Sequence, residues 1–314
     1  MFKDFSFVKK SSLFFDVNYN PYLTDSNESS FPSSWILYQS FVSEQKNSFF
    51  EEKTKQLQEK MGVNRTVWGY KLNNFGVASW EYYYYYYKVF SSHCFENVLQ
   101  TAKSLDLINE VFKPTIHKPD YYILSFDFQE EKADSFSIYY PDILRTFPEK
   151  YKRYFQQGYH YFDLRTRGFI SYKMKDNLLE ETNYYKGLSA PLENDEENLY
   201  TEIRLLCETK LPELSKSNYL SDIYLLPFLI EKTSCHPWCI ALKKNAIKIY
   251  FTSANISIFI SFIKHFNYPL NFVSKIENHH NVLSHLKYDF AFEISYKKGD
   301  QQLTIDNPVL YGTF

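Results

Sequence analysis

Glycine is scarce in this chain, with 8 residues among 314. No G-x-G-x-x-G turn or Walker-type loop can be assembled from them, which excludes the glycine-cradled dinucleotide and P-loop phosphate sites. No G-x-S-x-G elbow is present either. Excess positive charge is also missing: 35 Lys and Arg stand against 37 Asp and Glu, for a net charge of −2. Without a basic stripe, a nucleic-acid partner is not expected. No apolar run reaches the length of a bilayer crossing; the most apolar stretch, 256–266, is short and broken by Ser261 and Lys264. The opening Met1-Phe2-Lys3-Asp4-Phe5 lacks the apolar run of a signal peptide. These absences lead us to expect a soluble, cytoplasmic protein with no membrane partner.

Cysteine is sparse: Cys94, Cys207, Cys235 and Cys239 fit a reducing compartment. The run Cys235-His236-Pro237-Trp238-Cys239 has no second ligand pair at metal spacing elsewhere, so Cys239 reads as the start of an apolar strand. His279, His280 and His285 lack a supporting carboxylate motif and read as surface histidines. No metal site is expected.

Aromatics are what the chain has in quantity. They make up 20 % of it, with 29 Tyr and 29 Phe. Codon bias of an AT-rich genome would produce part of this, yet the tyrosines gather in strand-like segments, where aromatics are favoured. Five two-stranded signals follow one another, separated by helical stretches. The first, 67–88, turns at Asn73-Asn74-Phe75-Gly76 and runs into Trp80-Glu81 and the tyrosines 82–87. The second, 121–140, alternates Leu124, Phe126 and Phe128 with Ser125 and Asp127, then Phe136, Ile138 and Tyr140 with Ser135, Ser137 and Tyr139. The third places arms at 159–163 and 169–173 around a turn at Arg165-Thr166-Arg167-Gly168, leaving 178–188 as an ambiguous, possible further extended segment. The fourth, 238–252, turns at Lys244-Asn245, and the fifth, 288–311, at Lys297-Lys298-Gly299-Asp300. Helices are expected over 34–61, 91–108, 143–155, 196–209, 219–232, 254–266 and 282–285. Residues 1–33 read as an irregular arm. With no composition break after it, 34–314 forms a single domain.

About ten antiparallel strands in an open sheet would expose two aromatic-rich edges, and closing the sheet removes them. At that strand number the interior is wider than side chains alone would fill, so a chamber is expected. The fourth hairpin shows the two faces: Ile240, Leu242, Ile247, Ile249 and Phe251 pack outward on helices, while Ala241, Lys243, Lys248, Tyr250 and Thr252 look inward. The same parity puts Glu81, Tyr83, Tyr85, Asp127, Ser137, Tyr139, Asp289 and Glu293 inside, with Lys173 on the face of Phe169 and Ser171.

This layout resembles the aromatic prenyltransferases of the ABBA, or PT-barrel, type, and within them is most similar to the cyanobactin-type peptide prenyltransferases. The order of elements over 35–314 carries the resemblance. Local likeness lies in Tyr70-Lys71-Leu72 with Ala78-Ser79, in 135–141, and in 305–314 around Val309-Leu310-Tyr311. Two places depart from the pattern: Trp80-Glu81 stands where a basic residue is usual, and Ser135-Phe136-Ser137 lacks a lysine. The resemblance implies an α+β fold, a ten-stranded antiparallel β-barrel surrounded by helices and built from repeated ααββ units. It also implies transfer of an allylic prenyl group from a prenyl diphosphate, as co-substrate, to an aromatic small molecule or peptide side chain. No resident cofactor and no Mg²⁺ are implied, and a monomer is expected. On this reading Lys71, Arg167, Lys173 and Lys248 contact the diphosphate, Tyr139 and Tyr250 shield the cation, and Glu81 orients the acceptor. The competing reading makes each lysine a solvated turn or strand-end charge and Glu81 a salt-bridged structural carboxylate. The barrel would then bind an apolar or aromatic ligand without transferring anything, or with different chemistry.

Overall fold

The computed structural model describes residues 66–72, 79–87, 100–101, 103–104, 121–129, 132–141, 168–176, 178–187, 236–244, 246–254, 256–278, 288–297 and 302–313. Ten strands run β1 (Thr66–Lys71), β2 (Ser79–Tyr87), β3 (Tyr121–Gln129), β4 (Lys132–Pro141), β5 (Gly168–Lys175), β6 (Leu178–Gly187), β7 (His236–Leu242), β8 (Ala246–Ala254), β9 (Tyr288–Lys297) and β10 (Gln302–Thr313). They pair in sequence order, and β10 returns to β1 to close the barrel. Every pairing is antiparallel, including the closing one, where Gly69 faces Tyr311 and Lys71 faces Val309. The closed antiparallel barrel expected from the sequence is present. Of the expected helices, those over 34–61, 143–155, 196–209, 219–232 and 282–285 lie outside the described residues, as do the arm 1–33 and Arg167.

The third hairpin differs from the sequence reading. β5 pairs with β4 on one edge and with β6 on the other, so the segment 159–163, outside the described residues, is not its partner. The turn falls at Asp176, whose φ of 48° suits a short polar side chain. The segment 178–188, ambiguous in the sequence, holds β6; it reads poorly because it lacks alternation, with Leu178 and Leu179 exposed and Glu180 to Asn183 all polar.

Strand parity divides the wall into two chemistries. On the outward face Trp68, Trp80, Tyr82, Phe126, Phe128 and Phe136 are fully buried. Its rings contact one another, as in Tyr70–Trp80 (centroids 4.9 Å apart) and Tyr82–Phe128 (5.5 Å). Outside β8 and β9 lies helix α1 (Ile256–His265). Its Phe259 and Phe262 meet Phe290 and Phe292, the closest pair being Phe262–Phe292 at 4.7 Å. Each such buried ring contributes about 1.5–3 kcal/mol, which anchors the helix to the sheet.

Helix α1 ends as its sequence dictates. Asn267 takes the left-handed conformation (φ 56°), Tyr268 N–H reaches the Ile263 carbonyl (3.0 Å) and Asn267 N–H the Lys264 carbonyl (3.2 Å), the Schellman pattern. Pro269 follows, and helix α2 (Leu270–Asn278) begins at once, an element the sequence reading passed over. The Tyr268 hydroxyl donates to the Ile305 carbonyl at 2.8 Å and ties this corner to β10. In β10 the register shifts between Asp306 and Val309, with Asn307 at φ 51°. Pro308 sits at this bulge, where its missing N–H costs no ladder bond, and its carbonyl accepts from Leu72 N–H at 2.9 Å.

Candidate functional site

Inward positions of the second strand of every hairpin carry a tyrosine at the same level. Tyr83 (β2), Tyr139 (β4), Tyr185 (β6), Tyr250 (β8) and Tyr311 (β10) contact one another in a closed ring, with successive centroids 6.0, 5.5, 6.3, 6.2 and 5.9 Å apart. Across the barrel wall each faces a small residue on the next strand: Ser125, Ser171, Ala241, Ala291 and Gly69, respectively. Large against small lets the rings lean over the neighbouring strand. Gly69 shows how tightly: a Cβ there would lie 2.9 Å from the Tyr311 ring and 3.1 Å from Val309.

Burial raises the pKa of all these phenols, that of Tyr139 to about 12. The girdle is therefore neutral at physiological pH. It offers electron-rich ring faces without a phenolate, a surface that favours a cation without attacking it.

Two residues along each strand toward the hairpin turns, the lumen becomes charged. Odd strands place Lys71, Asp127, Lys173, Lys243 and Glu293 there, and even strands Glu81, Ser137, Asn183, Lys248 and Val309. Glu81 sits between the two layers. Its Oε2 accepts from Tyr83 Oη at 2.7 Å and, more distantly, from Tyr311 Oη at 3.5 Å, while Oε1 lies 3.7 Å from Lys71 Nζ. Burial opposes the Glu81 carboxylate, yet Lys248 and Lys71, with the Tyr83 bond, outweigh it and hold the acid well below its ordinary value. Burial likewise opposes the Lys71 ammonium, but Glu81, Glu293 and Asp127 keep it protonated, with its pKa raised.

Lys173 Nζ stands 3.6 Å from Asp127 and 3.3 Å from Glu180. Burial and the nearby Glu81 charge raise the Asp127 pKa against the pull of Lys173 and Lys71. Glu293 is held more firmly: Lys243 Nζ bonds Oε1 at 2.7 Å, and Asn307, turned inward by the β10 bulge, donates to Oε2 at 3.0 Å. Lys248 faces Glu293 across the ladder but reaches over the girdle instead, 5.2 Å from the Tyr250 centroid and 5.8 Å from that of Tyr311. Burial lowers its pKa despite the pull of Glu81 and Glu293.

Of the residues singled out in the sequence, the structure brings Lys71, Glu81, Lys173 and Lys248 into one layer, with Tyr139 and Tyr250 immediately behind it. Arg167 lies outside the described residues. Tyr83, Tyr185, Tyr311, Lys243 and Glu293 complete the site and were not among the candidates. Parity had already placed Lys243 and Glu293 inside, so neighbouring charge was the available signal for them. Among the described residues no group of three or more His, Cys, Asp or Glu is arranged to hold a metal ion. No helix among them is long and apolar enough to cross a membrane.

No protein-family model matches the chain, and no curated protein matches it. A solved structure does: that of AnaPT from Neosartorya fischeri, an aromatic prenyltransferase of ABBA type, superimposes with a TM-score of 0.52 over 78 % of this chain and 77 % of that one, at 8 % identity. The fold is thus that of the PT barrel, on the evidence of the ten-strand closure and this superposition.

Proposed function

We propose that this barrel transfers an allylic prenyl group from a prenyl diphosphate to an electron-rich acceptor, either an aromatic small molecule or the side chain of a peptide. The observation that carries this reading is the neutral five-tyrosine girdle set directly against lysines of the adjoining layer. In the proposed step the allylic C–O bond breaks and its electrons leave with the diphosphate. Lys71, Lys173 and Lys248 hold that group where its negative charge grows, with Arg167 as a fourth contact. Tyr139 and Tyr250, with Tyr83, Tyr185 and Tyr311, face the allylic cation and keep water from it. Glu81 orients the acceptor, whose nucleophilic atom bonds to the cation and then loses its proton to the Glu81 carboxylate. The donor is a co-substrate, and the reading calls for no resident cofactor.

One observation favours a second reading. Three of the four lysines in this layer stand within ion-pair reach of a carboxylate, which suits a barrel that binds an aromatic or apolar ligand without a diphosphate clamp. Thermal unfolding in the presence of dimethylallyl S-thiolodiphosphate separates the two. A transferase is stabilised by about 2.7 kcal/mol at 100 times the dissociation constant, and Lys248→Met weakens the effect. No stabilisation by dimethylallyl, geranyl or farnesyl analogues at saturating concentration selects the ligand-binding barrel.

A further inference from the structure

The ion pairs of the charged layer are not equivalent. Lys243 and Glu293 are in hydrogen-bond contact at 2.7 Å, and Asn307 fixes the other carboxylate oxygen. Lys71 and Glu81 stand 3.7 Å apart, beyond a good hydrogen bond, so their attraction is mainly that of charge. Among the described residues, Glu81 Oε2 takes the phenols, and Oε1 faces Lys71. Both residues point into the lumen from adjacent strands, which places this loose pair where a diphosphate and an acceptor must meet.

We propose that the Lys71–Glu81 pair is a latch that couples the two substrates: the donor's diphosphate draws Lys71 away, and this frees Glu81 Oε1 to accept a hydrogen bond from the acceptor. The inference rests on the transferase reading above and adds an order of binding to it, donor before acceptor. Until the donor arrives, Lys71 covers the acceptor-orienting oxygen. Afterwards the carboxylate has lost a cationic neighbour and needs a new donor group. Because such coupling is reciprocal, the acceptor in turn tightens retention of the donor.

The test is a double-mutant cycle read by calorimetric binding of dimethylallyl S-thiolodiphosphate. Glu81→Gln removes the pair that the donor has to break, and it tightens binding about tenfold in the wild-type background. In the Lys71→Met background there is no latch to release, and the same substitution changes affinity less than about twofold. Equal tightening in both backgrounds overturns the latch, because simple relief of repulsion between Glu81 and the diphosphate acts whether or not Lys71 is present. Unchanged or weaker binding by Glu81→Gln overturns it as well. Where Glu81→Gln does not fold, Glu81→Asp draws the carboxylate back by one methylene and serves the same cycle with the same expectation. An analogue that fails to bind wild-type protein overturns the transferase reading and the latch together, whereas binding without the background dependence removes the latch alone.

Discussion

At the tyrosine girdle the five hairpins speak with one voice, contributing Tyr83, Tyr139, Tyr185, Tyr250 and Tyr311. One step nearer the turns, the equivalent positions read Glu81, Ser137, Asn183, Lys248 and Val309. The backbone is the same at both levels, so geometry alone does not explain the difference. Closing the lumen poses one packing problem to every hairpin, and a large ring over a small neighbour solves it each time. Charge placement poses a different problem at each strand, and there the repetition stops. Chemistry that distinguishes one wall of the chamber from another resides in the broken layer, and the girdle supplies its common floor.

The largest expected effect comes from breaking the girdle. Tyr311→Ala removes a ring packed on Gly69, Tyr83 and Tyr250 and lowers stability by about 3–5 kcal/mol in urea unfolding. Tyr311→Phe keeps the ring and gives up the hydroxyl, whose contact to Glu81 is a long 3.5 Å, so it costs well under half as much. Equal costs would mean that the girdle is held by its hydroxyls instead of its rings.

In the charged layer, Lys243→Met leaves Glu293 buried with only Asn307 as a direct hydrogen-bond partner among the described residues and costs about 3 kcal/mol. Lys71→Met breaks the looser 3.7 Å pair and costs less. The opposite order, measured by the same unfolding experiment, would make Lys71 the structural lysine and remove the ground for treating its pair as displaceable.

The two layers were unequally legible in the sequence. Strand parity read from 238–252 placed Lys248 and Tyr250 inward correctly, because Ile240, Leu242, Ile247 and Ile249 mark the opposite face without ambiguity. The same rule found Glu81 and Tyr83 within an unbroken tyrosine run once Trp80 was recognised as outward. It failed at Tyr185, since β6 begins with exposed leucines and a polar stretch, and its turn at Asp176 carries no glycine. Helix α2 was missed because it starts directly behind Pro269, which reads as a stop although it also suits a helix start. Ion-pair distances, and with them the contrast between Lys71 and Lys243, depend on rotamers that strand spacing does not reveal.

A smaller effect tests how closely the girdle is packed. Gly69→Ala drives a methyl group to 2.9 Å from Tyr311 Cε1 and 3.1 Å from Val309 Cγ1. The ring has Tyr83 and Tyr250 on its other sides, so it has little room to yield, and the change costs about 2 kcal/mol. Pairing it with Tyr311→Ala checks the cause: the substitution at 69 costs much less once the ring is gone, since the 3.1 Å contact with Val309 is all that remains of the crowding, and a penalty that persists undiminished would trace to Val309 or the backbone.

The smallest effect lies at the seam between the layers, where Tyr83 Oη donates to Glu81 at 2.7 Å. Tyr83→Phe keeps the ring and removes one bond to a carboxylate, for about 1.5 kcal/mol at neutral pH. Its pH dependence follows from the depressed pKa of Glu81. A carboxyl whose folded pKa lies below its ordinary value of 4.5 contributes stability above that pH and loses it as pH falls through the folded value. Without the Tyr83 bond the folded pKa of Glu81 moves back toward 4.5, so the variant surrenders less stability on acidification than the wild type. Unfolding curves of the two proteins therefore differ most at neutral pH and converge below the folded pKa of Glu81. A gap that stays constant down to that point would mean that the phenol supports the girdle alone and that the two layers are independent.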